Sequence, residues 1–185
     1  VKLLKRAVLI YHPETSLHQG RVATLCLEMA WRCNIELKER QPLVLAASIH
    51  DIGKLGVPEK YLDGSHLSEA EKWIVIEGHL EVGYLLLKQI GFLRELAEKL
   101  ILFHHKVDGH LVGLRELPMS DAAYLLSLVD HYDALTNRRS YRNGGELSPE
   151  AAMIELLPLF KKEQPKTFNI MQSFVLGMGA SPFLV

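Results

Sequence analysis

Residues 43–54 read LVLAASIHDIGK, and the rest of the chain is interpreted from this stretch. Leu43, Leu45, Ala46 and Ile49 suit a helix buried on most sides, and the run ends abruptly in His50, Asp51, Gly53 and Lys54. Two metal-binding side chains therefore stand back to back at a helix end, followed by a helix stop and a cation. A buried carboxylate without compensation is costly, so Asp51 needs a cation, a proton or several donors beside it. That compensation has to come from elsewhere in the chain.

With 185 residues, 48% of them hydrophobic, the sequence is long enough to bury a sizeable core without disulfides. Its 21 basic and 22 acidic side chains nearly cancel, which argues against a global field for a nucleic acid polymer or a membrane surface. Any anion-binding site is local. Cys26 and Cys33 stand seven residues apart in a helical stretch, roughly 10 Å along the axis and too far for a disulfide. That spacing suits reduced core residues of a cytoplasmic protein. No apolar run approaches the roughly 18 residues of a membrane span, and residues 2–10 lack the pattern of a secretory signal. We expect one domain over residues 1–185 and, from the start at Val1 rather than Met, a domain excised from a larger multidomain protein.

Hydrophobic periodicity predicts an all-α fold, with no convincing strand alternation. Leu3, Leu4, Val8 and Leu9 recur at roughly helical spacing until His12-Pro13 interrupts them. A helix opened by Pro13 puts Glu14 and His18 on one face, able to share a cation, and continues through Val22, Cys26, Met29, Ala30 and Cys33. Residues 39–42 read as a polar break before the central helix, and 53–64 as a loop. Ser68 with Glu71 forms a capping box for a helix ending near His79. A separate helix is expected over 82–90, cut by Gly91, and another over 92–104, closed by His104 and His105. Residues 106–119 read as a loop. Ser120 caps a helix leading to Asp130, Asp133 and the basic Arg138, Arg139 and Arg142. Ser148-Pro149-Glu150 opens a helix that Pro158 ends, and residues 166–177 form a last one.

Glu14, His18, His50, Asp51, His79, His104, His105 and Asp130 all fall at helix ends or on one helical face. A single histidine on a part-apolar helix is more often a hydrogen-bonded core residue than a ligand. An adjacent His-Asp, an adjacent His-His and an aspartate closing an apolar run are harder to explain that way together. Imidazole and carboxylate groups without thiolates suit divalent Mn, Fe, Co, Ni or Zn. A multi-metal centre is the leading expectation, and a purely structural helical bundle is the bland alternative.

These residues carry a family resemblance. The sequence resembles the HD superfamily of metal-dependent phosphohydrolases and, within it, the HD-GYP group. His18-Gln19-Gly20-Arg21 matches H-x-x-R, and His50 to Lys54 matches H-D-I-G-K. Leu67-Ser68-Glu69-Ala70-Glu71 stands where the group has L-T-x-x-E. His79 falls on H-P-x-x-G, with Leu80 for the proline and Gly83 retained. His104-His105 and Asp108-Gly109 match the H-H and D-G of the signature loop, and residues 130–142 resemble D-x-F-D-A-L-T-x-x-R-P-Y-R. Lys106 replaces the glutamate of H-H-E, the G-Y-P is absent and Ser140 replaces a proline.

The resemblance implies a compact helical HD-domain bundle with a two- or three-metal centre. It implies hydrolysis of cyclic di-GMP or a related nucleotide phosphate ester through a hydroxide bridging two ions, so that no side-chain base is needed. His50, Asp51 and Asp130 would hold one ion, and His79, His104 and His105 a second, with Asp51 bridging. Glu14 and His18 match positions of a third. Fe or Mn is expected first, with Ni, Co or Zn as further options. Asp51 and Lys54 would be the catalytic side chains, with Lys54 on a substrate phosphate, and Arg139 and Arg142 on guanine or phosphate groups. Arg21 would stand behind the ligands and Asp133 would be structural. His12, His66, His110 and His131 match no ligand position and read as surface groups or groups behind the ligands. The partners implied are a small cyclic dinucleotide and fused or separate signalling domains of receiver or diguanylate cyclase type. The altered loop leaves a second reading, a degenerate domain that keeps its metals and acts as a regulatory or interaction module in bacterial second-messenger signalling.

Overall fold

The structure, a computed structural model, is described for residues 1–62, 67–105, 119–137 and 145–177. Every regular element among them is helical, as the periodicity predicts. Helix α1 covers Lys2–Tyr11 and α2 covers Pro13–Arg32. The break between them is His12, extended at φ −146° and ψ 90°, whose ring accepts the backbone N–H of Thr15 while Pro13 occupies the first helical position. Helix α2 buries His18, Val22, Cys26, Met29 and Ala30 along one face and packs against α3, Leu37–Ala47, and α7, Asp121–Thr136.

Helix α7 is the axis of the bundle. Residues 122–130 are buried without interruption, the all-round burial of a helix surrounded by others. Ser120 caps it through the N–H of Ala123, as expected. Its Tyr124 hydroxyl donates to the carbonyl of Phe160 at 2.7 Å, fixing the end of α8, Pro149–Phe160. Its Ser127 hydroxyl donates to the carbonyl of His104 at 2.5 Å, fixing the histidine turn.

Several expected boundaries move. Residues 39–42 form no break, because α3 runs through Pro42, which lies on the solvent face where water can satisfy the carbonyl that loses its helical donor. Pro158 likewise sits inside α8, which ends two residues later. The expected helix over 82–90 is not separate: α5 runs unbroken over Glu69–Leu87, opened by the Ser68 and Glu71 capping box. Leu80 supplies the backbone N–H that a proline there would remove, so His79 lies in mid-helix rather than near an end. The expected helix over 92–104 divides into α6, Gly91–Lys99, and a 3-10 turn, Ile101–Phe103, across a kink at Leu100. Of the expected loop over 53–64, the described residues up to 62 form a 3-10 turn over Ile52–Gly56 and a short helix α4, Glu59–Leu62. The last helix, α9, covers Pro165–Val175. No helix among the described residues is long and apolar enough to cross a membrane.

Candidate metal centre

Five segments deliver polar side chains to one buried volume. Helix α2 brings His18, the turn after α3 brings His50 and Asp51, and the middle of α5 brings His79. The turn after α6 brings His104 and His105, and α7 brings Asp130. His18, His50, Asp51, His79 and His104 are each 2% exposed or less, and Asp130 is also buried.

The imidazoles are held from behind. Nδ1 of His50 lies 2.9 Å from the carbonyl of Ala47, that of His79 3.1 Å from Val75, and that of His104 2.6 Å from Ile101. A carbonyl only accepts, so each Nδ1 carries a hydrogen, and in the neutral ring Nε2 presents its lone pair on the opposite side. His18 is held differently, its Nδ1 at 2.7 Å from Oδ2 of Asp133.

The free nitrogens converge. Nε2 of His18 and of His50 lie 3.2 Å apart, and those of His79 and His104 3.5 Å apart. Asp130 Oδ1 lies 2.8 Å from His18 Nε2 and 3.4 Å from His50 Nε2. Asp51 spans the volume, with Oδ2 3.6 Å from His50 Nε2 and Oδ1 3.5 Å from His79 Nε2. Three sets of donor atoms lie mutually within 4.8 Å: His18, His50 and Asp130; His50, Asp51 and His104; and His79, His104 and His105. Lone pairs and carboxylates facing one another in a dry interior repel unless positive charge lies among them. Nitrogen and oxygen donors without a thiolate fit divalent metal ions.

The electrostatics agree. Burial pushes the Asp51 and Asp130 carboxyls up, but the surrounding positive and hydrogen-bonding groups outweigh it. Lys54 and then His50 hold Asp51 well below the usual range, and His18 and His50 do the same for Asp130. Burial drives His79 down to about 3 and His104 well below an ordinary imidazole, which leaves both neutral as ligands must be. Lys54 Nζ lies 2.7 Å from Asp51 Oδ2 at the rim, its side chain 21% exposed.

Seven of the eight expected ligands thus come together. His18, grouped with Glu14 in the sequence reading, stands with His50 and Asp130. Glu14 sits one turn earlier on α2, half-buried, and is in none of the three sets. The sequence reading put Arg21 behind the ligands and made Asp133 structural, but did not foresee that the two are paired behind His18. Arg21 donates from Nε to Asp133 Oδ1 and from Nη2 to Oδ2, each at 2.8 Å, and Asp133 in turn faces His18. The signal was present as matching three-residue spacings, His18 to Arg21 on α2 and Asp130 to Asp133 on α7. His131 stands against His105, ring centroids 5.8 Å apart, with its Nδ1 on the carbonyl of Ser127. His66, the loop with Asp108, Gly109 and His110, and the basic Arg138, Arg139 and Arg142 lie outside the described residues.

The HD domain family model matches residues 15–135. A cyclic di-GMP phosphodiesterase of Thermotoga maritima is 27% identical over 148 residues, covering 78% of this chain and 40% of that protein. A 3'3'-cGAMP-specific phosphodiesterase of Vibrio cholerae is 29% identical over 146 residues, covering 76% of this chain and 28% of that protein. The chain therefore spans well under half the length of these relatives. The HD domain of the L. monocytogenes phosphodiesterase PgpH superposes with a TM-score of 0.67 at 16% identity, covering 95% of this chain and 96% of that one. The same domain has been solved in complex with cyclic-di-AMP, again with a TM-score of 0.67. These neighbours share the helical HD-domain fold.

Proposed function

The chain belongs to the HD domain family, and on that premise we propose that it is a metal-dependent phosphodiesterase that hydrolyses a cyclic dinucleotide, cyclic di-GMP or a close relative. The observation that carries this reading is the convergence of imidazole Nε2 atoms on shared carboxylates, with the Nδ1 of His50, His79 and His104 on backbone carbonyls. Such an arrangement has no stabilising role in an apolar core. The phosphodiesterase relatives support the reaction class.

In this reading His18, His50 and Asp130 hold one divalent ion and His79, His104 and His105 a second. Asp51 lies between them, with one oxygen toward each group, and Glu14 serves a third position. Fe or Mn is the preferred occupant. Bound divalent ions supply Lewis-acid stabilisation of phosphoryl charge and a water acidic enough to attack near neutral pH. The chain's own residues orient and screen. The backbone-held imidazoles need no rearrangement as charge develops, and the apolar shell around them excludes bulk water. Lys54 presents its charge at the rim, where it can pass from Asp51 to a substrate phosphate. Arg139 and Arg142 are assigned to guanine or phosphate contacts. The full protein is proposed to be cytoplasmic and to join this domain to signalling domains of receiver or diguanylate cyclase type.

The replacement of H-H-E by His104-His105-Lys106 and the missing G-Y-P favour a second reading, a metal-loaded regulatory module without turnover. Anaerobic purification, metal counting and an assay of cyclic di-GMP and 3'3'-cGAMP with added Mn or Fe separate the two, with Asp51→Ala as control. Two or more ions per chain with turnover lost in the variant support the phosphodiesterase. Ions without turnover of either dinucleotide support the module.

A further inference from the structure

We propose that Arg21 is a positioning residue for the His18, His50 and Asp130 ion position, acting through Asp133 to hold the His18 ring with Nε2 turned toward the ion. The inference rests on the metal reading above. His50, His79 and His104 take their orientation from carbonyls of their own local turn or helix, three or four residues back. His18 takes its orientation from a side chain 115 residues away on α7. Its ring is therefore only as well aimed as the Asp133 carboxylate.

A carboxylate held at one oxygen still turns about its terminal torsion, which has broad wells. Arg21 removes that freedom, because its fork occupies both oxygens at once, Nε on Oδ1 and Nη2 on Oδ2, each at 2.8 Å. Asn137, at the end of α7, adds a third donor on Oδ1 at 3.0 Å. Oδ2 is thereby aimed at His18 Nδ1. A carboxylate behind an imidazole also makes the opposite nitrogen a stronger donor than a neutral carbonyl does. The plain alternative is that Arg21 and Asp133 merely staple α2 to α7. The two roles separate by experiment, because the Arg21 side chain is 39% exposed and truncating its head group leaves no cavity in the core.

The test is cobalt(II) binding to the full chain and to Arg21→Met, Arg21→Lys and Asp133→Asn, followed by equilibrium dialysis and visible absorption. The His18 tautomer is read alongside by long-range proton–nitrogen correlation in the metal-free protein. The expected result for Arg21→Met is an affinity loss of about 10-fold or more for one ion, with the other unchanged, and a His18 that no longer holds the single Nδ1–H tautomer. Asp133→Asn is expected to weaken the same ion by about 10- to 100-fold, the range for residues behind metal ligands. Arg21→Lys, which keeps the charge and loses the fork, falls between. Wild-type affinity for both ions in Arg21→Met with an unchanged tautomer overturns the inference, even with a lowered melting temperature, and leaves a staple. Equal weakening of both ions overturns it as well. If the wild-type chain takes up no cobalt, the metal reading falls and this inference with it.

Discussion

Gly53 lies directly under the carbonyl of His79, so close that a Cβ at position 53 would overlap that oxygen and stand 2.6 Å from the amide nitrogen of Gly83. The turn carrying Asp51 and Lys54 is thus pressed against the middle of α5 at the residue that supplies His79. Gly53 has to lack a side chain because two backbones meet there, whereas a Cβ on Gly83 would come no nearer than 3.4 Å to the turn. Gly53→Ala is expected to push the turn off α5, with a loss of about 1–3 kcal/mol or more. For a chain of this size that lowers the melting temperature by about 2–4 °C per kcal/mol. Calorimetry of the metal-free variant measures the loss, and metal counting shows whether Asp51 and His79 still share an ion.

Asp51 places one oxygen 3.6 Å from His50 Nε2 and the other 3.5 Å from His79 Nε2, which on the proposed reading puts it between two ions, whereas His105 stands with one. Asp51→Asn is therefore expected to weaken binding of both ions, and His105→Ala of one. Isothermal titration with Mn on chelator-stripped protein resolves the two patterns. Rebinding at 100 times the dissociation constant stabilises the fold by about 2.7 kcal/mol per ion, so chelation lowers the melting temperature of the wild-type chain and leaves that of Asp51→Asn little changed.

Acid is expected to destabilise the metal-free protein well above the carboxylate range. Burial holds His79 at about 3 and His104 well below the ordinary imidazole value, and unfolding returns both to about 6.5. Between those values the unfolded chain binds more protons, so stability rises with pH and is lost as pH falls below about 6.5. The slope is about 1.4 kcal/mol per pH unit for each imidazole. His50, raised by its carboxylate neighbours against the opposing effect of burial, acts in the other direction, its contribution being lost as pH rises through its folded value. The depressed Asp51, Asp130 and Asp133 lose their contribution only below about 3.8. Urea midpoints from pH 7 to pH 4 are expected to fall. A rise would mean that His79 and His104 are charged in the folded state.

Lys54→Met removes the cation 2.7 Å from Asp51 Oδ2 and no proposed metal ligand. Metal content is expected to stay at the wild-type level while dinucleotide hydrolysis drops by about 10²–10³, the usual effect of losing one group that stabilises developing charge. A parallel loss of metal would make Lys54 a structural partner of Asp51 instead.

Tyr124→Phe deletes the hydroxyl that donates to the Phe160 carbonyl at 2.7 Å, and that oxygen keeps only the backbone N–H groups of Glu163 and Gln164, at 3.2 and 3.3 Å. A loss of about 0.5–1.5 kcal/mol in stability is expected, with metal affinity unchanged because the bond involves no proposed ligand. Denaturant unfolding and cobalt titration check the two halves separately.

The helical class and most helix starts were legible because their signals are local. His12-Pro13, the Ser68 and Glu71 capping box, Ser120 and Ser148-Pro149 all mark starts that the structure keeps. Helix ends were less legible. Pro42 and Pro158 each remove one hydrogen bond, and exposure to water makes that tolerable within a packed helix. His79 was assigned to a helix end because periodicity alone does not tell an unbroken helix from two short ones.

The sequence by itself determined which side chains could hold ions, since their chemistry and their places on helical faces depend on residues a few positions apart. The HD resemblance ordered them into a site. Only the tertiary structure decided how they are partnered: that His18 stands with His50 and Asp130, that Asp51 faces both His50 and His79, and that Arg21 grips the Asp133 carboxylate behind His18. Those relations join residues up to 115 positions apart. They follow from which faces α2, α5 and α7 turn to one another, and packing of the whole core sets those faces.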